Sequence, residues 1–519
     1  MQDMNGPYRG RMERRRIGII GAGVSGLATA KVLVSRGHSV TVFEKVDTLG
    51  GVWAPARHYP GLRLQLKRQC YAFSDFPMPP HYPEFPTGAQ MHEYLRAYAE
   101  RFGILERIRC NAEVMGIAPR PDGKPGWQLE VTDLASGSEA VHDFDFVVVC
   151  NGVFSLPQVP QIAGRAELEA AGGIVLHSSQ LRDVAQVAGR DVAVVGFGKS
   201  ALDIAEAVLG AARSSTLVFR RSLWKVPHRI IWGRINIVHL ILSRSMEIWF
   251  PHPEMGRMKR LLHSWLHPLV DAQWWMAERI IGGQLGLLAP ALRPEEPLRK
   301  SAPCLTLALD NLKAIREGRI AIARGGVTRF TASGLELDSG KAVRAQAVVL
   351  ATGFRQECAF LGERERAALH DTAGTILLYR YLINPDVPDM AFNGYNGQGA
   401  CQLMAEVGAV WLACLLEGRI KLPDRATMLA TIREEAGLRA RLLSARLRPG
   451  YYTSPFTFGY LDQLLRDMGL APADRHKSLF RWLFEPLAPG DYRDLLERAA
   501  PAAADHDARR RDLQPSTHL

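Results

Sequence analysis

Twice in this chain a run of β-branched residues ends in a glycine-rich turn that opens directly into a helical pattern. The first turn is Gly21-Ala22-Gly23-Val24-Ser25-Gly26, entered from residues 17–20 and followed by a helical stretch over 27–34. The second is Gly196-Phe197-Gly198-Lys199-Ser200-Ala201, entered from residues 192–195 and followed by a helix containing Asp203. In this strand–turn–helix setting the first glycine permits the tight turn and the second lets the backbone approach a pyrophosphate. The third lets helix and strand pack closely, a place where alanine is tolerated. The helix N-terminus then offers free N–H groups and a partial positive charge to phosphates. Gly21, Gly23, Ser25 and Gly26, and again Gly196, Gly198, Lys199, Ser200 and Ala201, are therefore candidate cofactor-binding residues.

The charge at the end of the next strand separates the two turns. Glu44 closes that strand 23 residues after Gly21, where a carboxylate accepts hydrogen bonds from ribose hydroxyls and repels a 2′-phosphate. At almost the same offset, 24 residues after Gly196, stands Arg220, with Arg221 beside it. A guanidinium holds phosphate in a bidentate fork, so the second dinucleotide is expected to carry a 2′-phosphate, as in NADPH. Beside Glu44 lie Lys45 and the segment Leu49-Gly50-Gly51-Val52-Trp53, which resembles segments running beside FAD in flavoproteins. Lys45, Gly51, Val52 and Trp53 join the first site, which is expected to hold FAD.

Between residues 16 and 495 short β-branched runs alternate with helical patterns, the mark of parallel sheets with crossover helices. Strands are predicted over 16–20, 39–43, 146–150, 191–195, 217–220 and 347–351. A chain of 519 residues exceeds one ordinary core and should divide into lobes. Its apolar fraction of 47% and charged fraction of 23% argue against both disorder and a membrane-embedded protein. The net charge of +11 comes from dispersed arginines with no nucleic-acid motif. Seven scattered cysteines without a C-x-x-C pair or metal-ligand spacing read as reduced thiols and predict no metal. A cytoplasmic location is expected from that reading.

Residues 230–300 break the alternation. Rich in Trp, Leu, His and Arg, they read as inserted helices that serve as extra core, as a substrate lid or as a membrane-surface patch. The uncharged run 235–243 is far shorter than the roughly 20 residues of a membrane span. The expected organisation is a basic leader (1–15), the first part of an FAD domain (16–185), an NADPH domain (186–345) bearing the insert, the rest of the FAD domain with C-terminal helices (346–495), and a disordered tail (496–519).

These residues resemble the class B flavin monooxygenases, the group of flavin-containing monooxygenases, Baeyer–Villiger monooxygenases and N-hydroxylating enzymes. Besides both turns, the resemblance rests on Tyr59-Pro60-Gly61-Leu62, Phe73-Ser74-Asp75-Phe76-Pro77, Cys150-Asn151-Gly152, Leu350-Ala351-Thr352-Gly353-Phe354 and Phe392-Asn393-Gly394, in the family's order. Gly173, His177 and Ser178 match the fingerprint between the turns, whereas Ala171 and Leu181 replace its aromatics. The resemblance implies an α/β fold of two Rossmann-like domains, the NADPH domain inserted in the FAD domain. It implies a monooxygenase in which NADPH reduces the flavin, O₂ adds as a C4a-(hydro)peroxyflavin, and one oxygen passes to an organic substrate. N- or S-oxygenation and Baeyer–Villiger oxidation both remain open, as does a reductase or oxidase without oxygen transfer. A disulfide reductase would need a redox cysteine pair beside the flavin.

Gln65, where the family carries asparagine, is expected near the reacting oxygen, and His177 as a hinge or cofactor contact. Thr352 and Gly353 are expected where the chain crosses between cofactor lobes. The expected partners are O₂ and an apolar small molecule, suggested by the tryptophans of the insert. No nucleic acid and no membrane span are expected, though the insert could touch a membrane surface, and the chain should be a monomer or homodimer.

Overall fold

The computed structural model describes residues 14–231, 233–252, 255–301, 306–308, 311–372, 374–397, 400–443, 456–473 and 477–499. The expected leader and tail lie outside these residues except for their inner ends. Strand β1 (Arg16–Ile20) runs through the first glycine turn into helix α1 (Val24–Ser35), and the chain returns as β2 (Ser39–Phe43). Then come β3 (Ile108–Arg109), an antiparallel meander over Ala112–Pro119, Trp127–Asp133 and Glu139–Phe144, and β4 (Phe146–Val149).

The second half repeats this plan. After β5 (Ile174–His177), strand β6 (Asp191–Val195) leads through the second turn into α2 (Lys199–Ala207) and β7 (Ser214–Phe219). A helical excursion with α3 (Arg257–His263) and α4 (His267–Leu285) comes next, then β8 (Ala321–Arg324), a second meander over Val327–Thr331, Gly334–Leu337 and Ala342–Arg344, and β9 (Ala347–Leu350). The chain returns to the first sheet as β10 (Met390–Phe392) and enters α5 (Cys401–Leu416).

The first sheet has the order β10-β4-β1-β2-β3 and the second β8-β7-β6-β9-β5, all pairs parallel. All-parallel strands are covered on both faces, and all residues of β4 and β9 are accordingly buried. In each sheet the strand leading into a glycine turn is central, with neighbours reached by connections of opposite direction. Ligands bind at such switch points, outside the carboxyl ends of the strands.

The register explains three differences from the predicted strands. Pairing of β4 and β9 ends at Val149 and Leu350, so Cys150 and Ala351 cap the strands rather than extend them. Strand β7 begins at Ser214, because pairing with β6 from Asp191 onward extends it backward through polar residues, and Arg220 lies just past its end. The second sheet also takes β9 as a neighbour of β6 and β5 as the neighbour of β9, both from outside the segment 186–345 expected for its lobe.

Helix α5 is buried at every residue from Gln402 to Leu416. It lies along α1, where Asn393 Nδ2 donates to Thr29 Oγ1 at 2.9 Å and Lys31 pairs with Glu406 at 3.5 Å. Among the described residues no helix is long and apolar enough to cross a membrane.

Candidate active site

The two glycine turns are built alike. In the first, Gly21 N donates to Phe43 O and Cys150 N to Ile20 O, each at 2.8 Å. In the second, Gly196 N donates to Val218 O at 2.8 Å and Ala351 N to Val195 O at 2.9 Å. Gly21 (φ +102°) and Gly196 (φ +137°) adopt backbone conformations that side chains resist, and a Cβ on either would strike the carbonyl oxygen of Cys150 or Ala351, at 2.6 and 2.4 Å. Sequence stretches 150–152 and 351–353 thus cap the two switch points equivalently.

Helices α1 and α2 start at Gly23 and Gly198 with no side-chain cap. Their first N–H groups are therefore unclaimed by side chains, as phosphate binding requires. No atom lies within 4 Å of a Cβ built on Gly198, which leaves open space before the second turn. Before the first, Gly23 meets Gly51, whose Cβ would stand 3.0 Å from Gly23 Cα. Gly50 N bonds Ala22 O at 2.9 Å, so the segment carrying Gly51, Val52 and buried Trp53 is fastened beside the turn. From the other side Gly394 (φ +88°) closes on Ser25, whose Oγ leaves no room for a Cβ there. These cradles fit a dinucleotide, and the residues that would hold FAD are those around α1.

The ends of β2 and β7 differ in charge. Glu44 is buried and accepts from Ala22 N at 2.8 Å and Val46 N at 3.2 Å, which ties the carboxylate to the turn while lone pairs remain for a ribose. Burial pushes its carboxyl above the ordinary value, partly offset by these N–H groups and by Arg57 and Lys45. Lys45 itself is exposed. Arg220 and Arg221 are exposed past β7, and among the described residues neither has a carboxylate partner. Two guanidiniums without internal partners beside an uncapped helix are suited to a phosphate.

His177 ends β5 beside the second switch point. Its Nε2 donates to Gly353 O at 3.0 Å, while Nδ1 accepts from Ser179 N at 3.2 Å and lies 2.8 Å from Ser179 Oγ. Its ring meets Phe354 edge-on at 5.1 Å. Burial holds the imidazole below its ordinary pKa, against the opposing bond to Gly353. The ring is thus fixed between β5 and the chain after β9. Thr352 Oγ1 donates to Gln158 O at 2.5 Å and Gln158 N to Gly353 O at 2.9 Å, so Thr352 and Gly353 also fasten the crossing chain. Gln65 lies half-buried on a loop between Leu64 and Leu66, both buried, with Leu64 N held by Pro86 O at 2.9 Å.

Contacts between the two turns are not evident from spacing. Tyr59 OH donates to Asp203 Oδ2 at 3.1 Å, Ser200 reaches the same hydroxyl, and Lys199 pairs with Asp203. A Cβ on Gly61 would lie 3.2 Å from Asp203 O. Segment 59–61 of the first half is therefore seated on α2 of the second. Lys225, fully buried, donates to Phe197 O at 2.7 Å inside the second turn, with its ammonium 4.9 Å from the Phe197 ring. A lone lysine in the apolar run Leu223-Trp224-Lys225-Val226 was the available signal. Among the described residues no cluster could hold a metal ion.

The profile of the FMO-like family, flavin-binding monooxygenase-like, matches residues 14–473. Probable flavin-containing monooxygenase 1 of Arabidopsis thaliana is 30% identical over 92% of this chain and 96% of its own length. Dimethylaniline monooxygenase [N-oxide-forming] 2 of Oryctolagus cuniculus is 27% identical over 88% of this chain and 83% of its own. Among solved structures, OTEMO in complex with FAD and NADP shares the fold, with a TM-score of 0.66 and 15% identity, covering 87% of this chain and 97% of that one. Two like-built dinucleotide cradles and a match along nearly the whole chain lead to one conclusion: the protein belongs to the flavin-binding monooxygenase-like family, enzymes that use FAD and NADPH.

Proposed function

We propose that the protein inserts one oxygen atom of O₂ into an apolar organic substrate, with FAD held at the first glycine turn and NADPH at the second. The observation that carries this order is the contrast between Glu44, bonded into the first turn, and Arg220 and Arg221 beside the second, which among the described residues have no carboxylate partners. When bound, FAD supplies the centre that takes electrons from NADPH and reacts with O₂. The first lobe would consist of the sheet around β1 with α1 and α5, and the second of the sheet around β6.

The chain's own part is binding, orientation and exclusion of water. Gly21, Gly23, Ser25 and Gly26 admit the first pyrophosphate, and Glu44 takes the ribose hydroxyls. Gly51, Val52 and Trp53 would line that cofactor, with Lys45 at its outer edge. Gly196, Gly198, Lys199, Ser200 and Ala201 form the second phosphate cradle, and the Arg220–Arg221 pair takes the 2′-phosphate. His177, with both ring nitrogens engaged, acts as a positioning residue that holds Thr352 and Gly353 between the lobes, not as a proton carrier. Gln65 would offer its amide to the reacting centre from the loop fixed by Leu64 and Leu66.

Amines, sulfides and ketones are the substrates to screen under ¹⁸O₂. The proposal predicts a product carrying one ¹⁸O atom for each NADPH consumed. NADPH consumption that yields only hydrogen peroxide with every class would instead identify an oxidase.

A further inference from the structure

Helix α4 has two apolar faces, and only one of them is covered among the described residues. Val270, Trp274, Ile281 and Leu285 recur at helical spacing and are buried. Leu269, Ala272, Met276 and Ile280 recur at i, i+3, i+7 and i+11, and all four are exposed. At 3.6 residues per turn the two rows lie on different sides of the helix. The exposed row continues through the turn before it, where Trp265 is 85% exposed, to Met258 on α3, which is 82% exposed. An isolated exposed apolar residue is ordinary, but a continuous row of this kind marks an interaction surface.

The charges around the row are one-sided. Arg257, Arg260 and Arg279 are exposed, and none has a carboxylate partner among the described residues. Arg279 lies with its guanidinium 5.2 Å from the ring of Trp275, itself exposed. Both carboxylates of α4 are engaged at home: Asp271 pairs with Arg299 at 3.1 Å and with His267 at 3.0 Å, and Glu278 accepts from Leu298 N at 2.7 Å. A second copy related by a two-fold axis would set this surface against its own cations. A surface of anionic lipid offers the opposite charge to the arginines and an apolar interior to the Trp, Leu and Met side chains.

We propose that the α3–α4 face docks the protein peripherally on anionic lipid bilayers, with Trp265, Leu269 and Met276 inserted and Arg257, Arg260 and Arg279 at the headgroups. This goes beyond the oxygenation reading and is measured without turnover, so either can fail alone. The test is sedimentation of the FAD-loaded full chain with vesicles of phosphatidylcholine, with and without phosphatidylglycerol, at low and high salt.

Three cations near an anionic surface favour binding by on the order of a hundred-fold over neutral vesicles, an advantage that high salt removes. Trp265→Ser with Leu269→Ser, and separately Arg257→Gln with Arg260→Gln, should each lower partition into anionic vesicles by roughly ten-fold or more. Because these side chains are exposed, both variants should keep their flavin absorbance and NADPH oxidation. Partition equal to that of the unaltered protein in both variants overturns the proposal. So does a dimer in sedimentation velocity that Trp265→Ser with Leu269→Ser dissolves, without vesicle binding by the unaltered chain.

Discussion

Gly26 and Ala201 hold the same place after their glycine turns, yet they tolerate different side chains. A Cβ on Gly26 would stand 1.8 Å from Gly21 O, because α1 lies directly against the turn. In the second turn a Cβ added to Gly196 would still be 3.5 Å from the Cβ of Ala201, so α2 accommodates the methyl group. Gly26→Ala should therefore yield protein with little or no bound FAD. Ala201→Gly, which costs helix stability of about 1 kcal/mol, should leave the KM for NADPH within a few-fold. Flavin absorbance per protein and steady-state kinetics check both, and a fully yellow Gly26→Ala protein would contradict the packing account. At this scale the glycines, Glu44 and the arginine pair are legible because their chemistry is local to a strand and a turn. Tyr59 and Asp203 are not, because the bond between them spans 144 positions, and only folding brings the pair together.

Among the elements, the central strands are legible from their β-branched runs, whereas β3, β5, β8 and β10 are edge strands of two to four residues. The insert is legible as helices, but its attachment is not. Glu247, on the helix Arg244–Ile248, accepts from Phe458 N at 2.6 Å and Gly459 N at 3.2 Å on the helix Thr457–Asp467, and Arg244 pairs with Asp462 at 2.7 Å. Desolvation pushes the Glu247 carboxyl up to about 7, against the opposing effects of these N–H groups, Arg244 and Lys259.

A carboxyl raised in the folded state stabilises most when protonated. That contribution is complete below its unfolded value and is lost as pH rises through about 7. From about pH 6 to about pH 8 the unaltered protein should lose roughly 1–2 kcal/mol of stability relative to Glu247→Gln, whose amide oxygen can still accept. Thermal melts across that range read the difference, and parallel Tm curves for the two proteins would show that Glu247 does not titrate there.

Across the whole molecule, one plan is used twice: a central strand, a glycine turn, a helix, a three-stranded meander and a capped fourth strand. The repetition is visible in the sequence at the turns and at the caps, where Cys150-Asn151-Gly152 and Ala351-Thr352-Gly353 each follow an apolar strand and set a glycine two residues past the capping position, whereas the equivalence of the meanders lies in pairing and register. The halves are distinguished by charge at the end of the second strand, a carboxylate in one and two guanidiniums in the other. The central claim is that this contrast assigns NADPH to the second turn. The direct test is anaerobic flavin reduction by NADPH and by NADH in the unaltered enzyme and in Arg220→Ala with Arg221→Ala. Charge-assisted bonds to phosphate contribute about 1.5–3 kcal/mol each, so the preference for NADPH over NADH should fall by ten-fold or more while reduction by NADH stays nearly unchanged. An undiminished preference for NADPH in the double variant would contradict the account.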